Sequence, residues 1–385
     1  MKFRGREINA GALKGLLKNP FVKEIPVGID ITNESIIVVE LAPVKGQPGT
    51  AQLVSLAITP TPENAVRDGE VIDPSRVADT IRQIWNEQGI KSHKVITAVS
   101  GQAAIIRPRI KFPVIPIKEL KEVVIHDAER YIPFPIQDVY IDFQVTGTVE
   151  EDGASKYDVL LVTAQKQLID TYIETFRQAE MQLISVDVAS FAVMRSINED
   201  EAEDLNTDTL SVMVLIRGET TDLNVTRAGV PLFSRSIPLG SSTFIEVIAS
   251  NMGVDLEEAV NLFDQIVIDI AGDEVYENPL VEQASQEVRP LLKDLTNEVQ
   301  KSIEYFHQSQ QENARIQQMI LSDRGAKMKN LDLYLSHALG IDVEVCNPIK
   351  FLTFDESKFS LQYLTENAPL FATAIGLARR GIDEL

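Results

Sequence analysis

Val27-Gly28-Ile29-Asp30-Ile31-Thr32-Asn33-Glu34-Ser35-Ile36-Ile37-Val38-Val39-Glu40-Leu41 is the stretch on which the fold turns. Val27, Ile29 and Ile31 alternate, and Thr32, Asn33 and Glu34 are turn-type residues. Residues 36–41 are then a near-continuous apolar, β-branched run. Two buried strands joined by a polar hairpin turn follow from that pattern. Far downstream the arrangement returns: residues 210–216 read as a strand, 217–221 as a polar turn, 222–227 and 230–237 as two further strands, with Ile31 and Ile216 in equivalent places. Such a duplicated unit points to an α/β protein of two similar lobes.

Composition narrows the function. The 385 residues allow two or three compact units at roughly 150 residues per domain. At 44% hydrophobic and 24% charged residues the chain is too apolar for disorder. Lys plus Arg is 36 against 57 Asp plus Glu, a net charge of −21, the wrong sign for neutralising a phosphate backbone. A single cysteine, Cys346, excludes an intrachain disulfide and a cysteine zinc site, in keeping with the cytoplasm. No apolar run approaches the roughly 18 residues of a membrane span. The four histidines show no metal-ligand spacing, and HExxH, GxSxG, Walker A and GxGxxG are all absent. Hydrolases and dehydrogenases built on those motifs drop out.

Along the chain, residues 1–24 carry six Lys or Arg against Glu7 and Glu24. This basic leader suits a solvated segment, or a short amphipathic helix against an anionic membrane or an acidic partner. A first lobe is expected over 25–205, with an inserted unit at about 105–180, and a second lobe over 206–385 with a helical insertion at about 243–317. The acidic stretch 198–208 marks the boundary. Within the inserted unit, Tyr131-Ile132-Pro133-Phe134-Pro135 stops a helix, because each proline removes a donor and pushes its predecessor to extended geometry. Residues 279–310 read as one long helix.

Chemistry concentrates in the paired turns. Backbone N–H groups of a tight turn converge on a point, and Thr32, Ser35, Thr220 and Thr221 add hydroxyls, which together make a phosphate cradle without a lysine. Asn33, Gly218, Glu219, Gly240 and the small-residue loop Gly325-Ala326 complete the candidate set. Asp30, at the end of the first strand, is placed to hold Mg²⁺ through water. Taken singly, each turn is a hairpin and no more.

These residues carry a resemblance. Residues 27–41, 215–221 and 321–326 resemble the first phosphate, second phosphate and adenosine motifs of the actin-like ATPase superfamily. Ala128-Glu129-Arg130-Tyr131-Ile132-Pro133-Phe134-Pro135, followed by Tyr140-Ile141-Asp142-Phe143, is similar to the signature of the PilM family of type IV pilus assembly proteins, relatives of the cell-division protein FtsA. Residues 186–188, 229–235 and 256–259 agree, and the resemblance runs from about residue 25 to 379. It implies an actin-like, ribonuclease H-like duplicated two-lobed fold with an FtsA-type inserted subdomain, and ATP with Mg²⁺ in the cleft. It also implies a cytoplasmic scaffold at the inner membrane that receives the N-terminal cytoplasmic tail of PilN and meets other pilus machinery. Tyr131 and Phe134 are expected to offer that tail an apolar pocket.

Departures from the family pattern bear on activity. Glycine and lysine of the first turn are replaced, with Thr32 in the glycine's place, and Glu34 adds negative charge. The second turn reads Leu215-Ile216-Arg217 where Asp-Ile-Gly is usual, and the adenosine loop is Ser322-Asp323-Arg324-Gly325-Ala326. Added bulk predicts weak or absent nucleotide binding. Arg217 facing the phosphates predicts retained binding with poor hydrolysis, the outcome the sequence slightly favours. An active ATPase or small-molecule kinase is the alternative, with Asp187 the candidate catalytic carboxylate and equally a helix cap. A filament-forming protein shares the fold.

Overall fold

Two sheets are built to one plan. The first runs Gln182–Val188, Lys94–Val99, Val27–Ile31, Ser35–Pro43, Ala51–Pro60, with Leu352–Thr353 added at its edge. The second runs Asp342–Val345, Ile316–Ser322, Leu210–Ile216, Thr221–Arg227, Val230–Ile237. Each has three consecutive antiparallel strands, and beyond the first of them two strands parallel to it. This is the expected duplication, with Ile31 opposite Ile36 at one hairpin and Ile216 opposite Thr221 at the other. The computed structural model describes residues 24–47, 49–101, 104–151, 153–197, 209–272, 274–310 and 314–383. All of the basic leader but Glu24, and the whole acidic boundary segment 198–208, fall outside the described residues.

Every residue of Val27–Ile31 is buried, because layers pack on both faces of the sheet, which is why its sequence is continuously apolar around Asp30. On one face lie Pro74–Gln88, started by the Asp73 side chain accepting from Arg76 N, and Lys166–Gln178. Val77, Ile81, Tyr172 and Phe176 join Ile29 and Val38 in that core. The other face is covered by Ala368–Asp383, whose Phe371, Ala374 and Ile375 pack on Ile37, Val39 and Leu41. Helix and sheet approach closely: a Cβ on Gly28 would collide with the Ala374 carbonyl, and one on Gly376 with that of Ala192.

The inserted unit is a three-stranded sheet, Ala104–Pro113, Ala154–Gln165 and Val139–Glu151, carrying the helix Ile117–Asp127. Ile110, Phe112, Leu120, Val124, Val159 and Leu161 make its own small core. Its expected end near residue 180 is corrected: Lys166–Gln178 buries Leu168, Ile169, Tyr172 and Phe176 in the first lobe's core.

Two further expectations change. Residues 348–383 are expected in the second lobe, but Ile349, Leu352, Leu364 and Phe371 pack with Leu41 and Leu53 of the first sheet, and Leu352 pairs with Ala51. That face of the first sheet needs an apolar cover, and the helix Ala368–Asp383, buried along most of its length, supplies it. The long helix is two, Pro279–Glu287 and Arg289–Gln310, because Pro290 has no N–H for a carbonyl one turn back and its ring crowds that carbonyl. Both helices share the second lobe's core with Leu210, Val212 and Val214.

Candidate functional site

The first hairpin spends its polar atoms on itself. Thr32 Oγ1 accepts from Glu34 N at 3.2 Å and Ser35 N at 3.0 Å and donates to the Ser35 carbonyl at 3.1 Å. Neither the Thr32 hydroxyl nor those two amides is free to face a phosphate. In the second turn Arg217 N bonds the Thr220 carbonyl at 2.9 Å, and Thr221 Oγ1 donates to the Leu239 carbonyl at 2.7 Å. Ser241 N and Ser242 N return to the Arg217 and Gly218 carbonyls at 2.7 and 2.8 Å, which draws Gly240 over the second turn.

Arg217 sits at the centre. Its Nη2 donates to Asp30 Oδ1 at 2.8 Å, and its Nη1 to Asp323 Oδ1 at 3.1 Å and Thr373 Oγ1 at 3.2 Å. Arg217 is 6% exposed and Asp30 1%. Burial opposes the charge on Arg217, but Asp30 and Asp323 outweigh it and hold its proton more firmly than usual. Asp323 is buried with other acids near, and burial pushes its carboxyl up to about 7 against the pull of Arg217. Where the sequence leads one to expect Arg217 at a phosphate and Asp30 at a hydrated Mg²⁺, the structure has these two groups bonded to each other. Asp30 and Arg217 come from different lobes, so the ion pair joins them.

A second cross-lobe set lies beside it. Glu34 Oε1 accepts from Ser241 Oγ at 2.9 Å, with Ser242 Oγ at 3.4 Å, and Glu34 Oε2 faces Arg324 Nε at 3.3 Å. Burial raises the Glu34 carboxyl, while Arg324 and the serines pull it back. Arg324 continues to Asp264 at 3.0 Å, and Asn33 Nδ2 donates to Ser242 Oγ at 3.0 Å.

The glycines that would admit a ligand are also filled from within. A Cβ on Gly218 would strike Asn33 Oδ1, one on Gly240 the Arg217 and Gly218 carbonyls, and one on Gly325 the Ile216 side chain. Gly325 and Ala326 are buried in a short turn. What is left between the hairpins is a space of about 110 Å³, against roughly 300–1,000 Å³ for small-molecule sites. Asn33, Gly218, Glu219 and Thr220 do line this one space. Backbone amides of Asp68 and Gly69 bond the Glu219 carboxylate, whose pKa burial raises. Asp30 Oδ2 and Asp323 Oδ2 are buried without a hydrogen-bond partner, and among the described residues no group of three or more His, Cys, Asp or Glu could hold a metal ion.

Asp187 is no free carboxylate either. Its Oδ2 meets Arg380 Nη1 at 2.9 Å and Arg195 Nη1 at 3.1 Å, and its Oδ1 accepts from Val188 N at 2.8 Å. Burial alone would raise it, but Arg195 and Arg380 prevail and hold it below the usual carboxylate range. It anchors the helix Ala368–Asp383.

A larger cavity of about 410 Å³ opens where the inserted unit meets both lobes. Phe134 and Pro133 line it, with Arg107, Ser190, Asp222 and Asn224 among the other walls. Tyr131 packs against the inserted unit's core and its carbonyl accepts from Arg107 Nε at 3.0 Å. Of the two expected partner residues, Phe134 alone lines the cavity. The polar walls from the second lobe are absent from the sequence reading. Their signal is the alternation Asp222, Asn224, Thr226 along a buried strand.

Duplicated five-stranded units meeting at paired hairpins define the actin-like ATPase fold. MreB5 of Spiroplasma citri, in a structure bound to AMPPNP, aligns with a TM-score of 0.53 at 10% identity over 94% of this chain and 98% of that one. EutJ, an ethanolamine utilization protein from Carboxydothermus hydrogenoformans, gives 0.52 at 16% over 94% and 91%. The family of the type IV pilus assembly protein PilM matches residues 28–382, and the chain belongs to that family. The structure of a PilM–PilN type IV pilus biogenesis complex aligns with a TM-score of 0.80 at 29% identity, over 93% of this chain and 98% of that one.

Proposed function

We propose that this protein is a scaffold of the type IV pilus assembly platform, at the cytoplasmic face of the inner membrane. It works by holding the N-terminal cytoplasmic tail of a PilN-type protein, and its actin-type cleft is closed by its own side chains. The observation that carries the reading is Arg217, which occupies Asp30 and Asp323 together and so leaves binding rather than turnover as the output. PilM in complex with PilN, in the structure aligned above, supports the choice of partner. The cavity beside Phe134 supports the place, since an extended segment needs an apolar wall and unpaired polar groups. None of the described helices is long and apolar enough to cross a membrane, which fits membrane contact made through the partner. An ATPase reading lacks its carboxylate, because Asp187 is bonded to Arg195 and Arg380.

Two titrations of the full chain test this. A synthetic PilN tail is expected to bind with saturable heat, and Phe134→Ala to weaken it at least tenfold, about 1.4 kcal/mol, with the melting temperature retained. Mg²⁺–ATP is expected to give no saturable heat below about 1 mM and no rise in melting temperature. Saturable nucleotide binding would overturn the closed cleft, and an inert tail the partner assignment.

A further inference from the structure

The 410 Å³ cavity has a floor whose polar atoms are left without partners. Strand alternation turns Leu223 and Val225 into the second lobe's core and Asp222 and Asn224 the other way, onto the cavity. Asn224 is 1% exposed, Ser190 3% and Asp222 8%. Asp222 Oδ2 accepts from Gly101 N at 2.8 Å. Asp222 Oδ1, both amide atoms of Asn224 and Ser190 Oγ have no hydrogen-bond partner. Burial raises the Asp222 carboxyl, with the Gly101 amide, Ser236 and Arg217 pulling it back; Ser236 lies opposite it on the next strand, yet its hydroxyl makes no hydrogen bond of normal geometry. Buried polar groups are ordinarily paired, and leaving several unpaired in one place is costly.

The kind of partner these atoms want follows from a count. Asp222 Oδ1, Asn224 Oδ1 and Ser190 Oγ are acceptors, while Asn224 Nδ2 is the one obligatory donor among these four. The floor therefore has an excess of acceptors, one of them on an acid. The cations around it are engaged elsewhere: Arg217 with Asp30 and Asp323, Arg235 with Glu298 and Ser302, and Arg107 with the Tyr131 and Ile106 carbonyls. A guanidinium, rigid and rich in donors, suits such a floor better than a neutral side chain.

We infer that Asp222, Asn224 and Ser190 form a specificity pocket for one arginine side chain of the docked tail, with Phe134 packing on the neighbouring peptide. The inference rests on the partner reading above and adds to it. Ser190 belongs to the first lobe, Phe134 to the inserted unit and Asp222 with Asn224 to the second lobe, so an occupied pocket ties all three units together.

The test is calorimetry with the full chain and a synthetic PilN tail, in parent and citrulline-substituted forms. Citrulline keeps the shape of arginine and removes its charge. Asp222→Asn keeps the oxygen that faces Gly101 N, and Asn224→Ala serves as the second variant if the first does not fold. Each is expected to weaken the parent tail at least tenfold. The citrulline tail is expected to lose a similar factor against the unaltered protein and little more against Asp222→Asn. If both variants bind the parent tail unchanged while Phe134→Ala weakens it, the arginine pocket is overturned and the docking site stands. If a tail lacking any basic residue binds at full strength, the pocket is overturned as well. If no variant at the cavity, Phe134→Ala included, changes binding, the docking site itself is wrong.

Discussion

Two spaces separate the lobes, and Ser100 and Gly101 line both, yet their acids are met differently. Between the hairpins, Arg217 takes one oxygen each of Asp30 and Asp323, whose second oxygens have no partner, and hydroxyls and amides close on each other. Beside the inserted unit, an acid, an amide and a hydroxyl are buried with polar atoms that nothing meets. Ligand sites are usually recognised by the polar residues they contain. Here the more useful criterion is whether a buried acid already has its countercharge: Asp30 and Asp323 share Arg217, while Asp222 Oδ2 meets the Gly101 amide.

The contrast is broken most forcefully at Arg217. Arg217→Ala leaves Asp30 and Asp323 buried without their cation and is expected to cost about 3–5 kcal/mol, measured by urea unfolding. Asp222→Asn is the counterpart in the other space. Burial raises the Asp222 carboxyl, and Arg217 pulls it back but bonds elsewhere, so removing the charge is expected to leave stability unchanged or raise it by about 1 kcal/mol. Should the two variants cost the same, the distinction between the spaces fails.

A smaller effect is expected at Gly325, where an added methyl meets Ile216. Gly325→Ala should cost about 1–3 kcal/mol through overpacking and leave tail affinity unaltered, since that residue lies away from the larger cavity. Tail binding that falls with Gly325→Ala would mean that the spaces communicate.

A further effect concerns pH. The folded-state pKa of Asp323 is raised to about 7, above its unfolded value, so between about pH 4 and 7 the folded state holds more protons. Its contribution to stability is present at the acid end and is lost as pH rises through 7. Asp323→Asn should flatten that decline by at most about 1.4 kcal/mol per pH unit, the limit for one proton. Identical stability–pH curves for the two proteins would show that Asp323 does not titrate there.

The duplicated sheets can be read from the sequence because their signals are local: alternation, β-branched runs and turn residues a few positions apart. The same reasoning brings Asn33 and Glu219 to one space, where the structure also has them. The pairings are hidden, since Arg217 lies 187 residues from Asp30 and 106 from Asp323, and Thr373 and Arg380 approach from a helix whose place in the chain suggests the other lobe. One signal is present in the adenosine loop and second turn: an aspartate at 323 and an arginine at 217, where the family carries glycines, are opposite charges. Read as a pair, they point to each other and not to a phosphate. The polar face of Thr221–Arg227 is equally visible, but a strand alone does not say which face meets a void.

The helix Ala368–Asp383 ties these regions together, with Thr373 on Arg217 and Arg380 on Asp187. During synthesis the earliest sheet must therefore wait, with Ile37, Val39 and Leu41 still wet, until a segment more than three hundred residues later leaves the ribosome. The first lobe is therefore not a self-sufficient folding unit. Chemical denaturation of the intact protein should accordingly melt both halves in one transition rather than two.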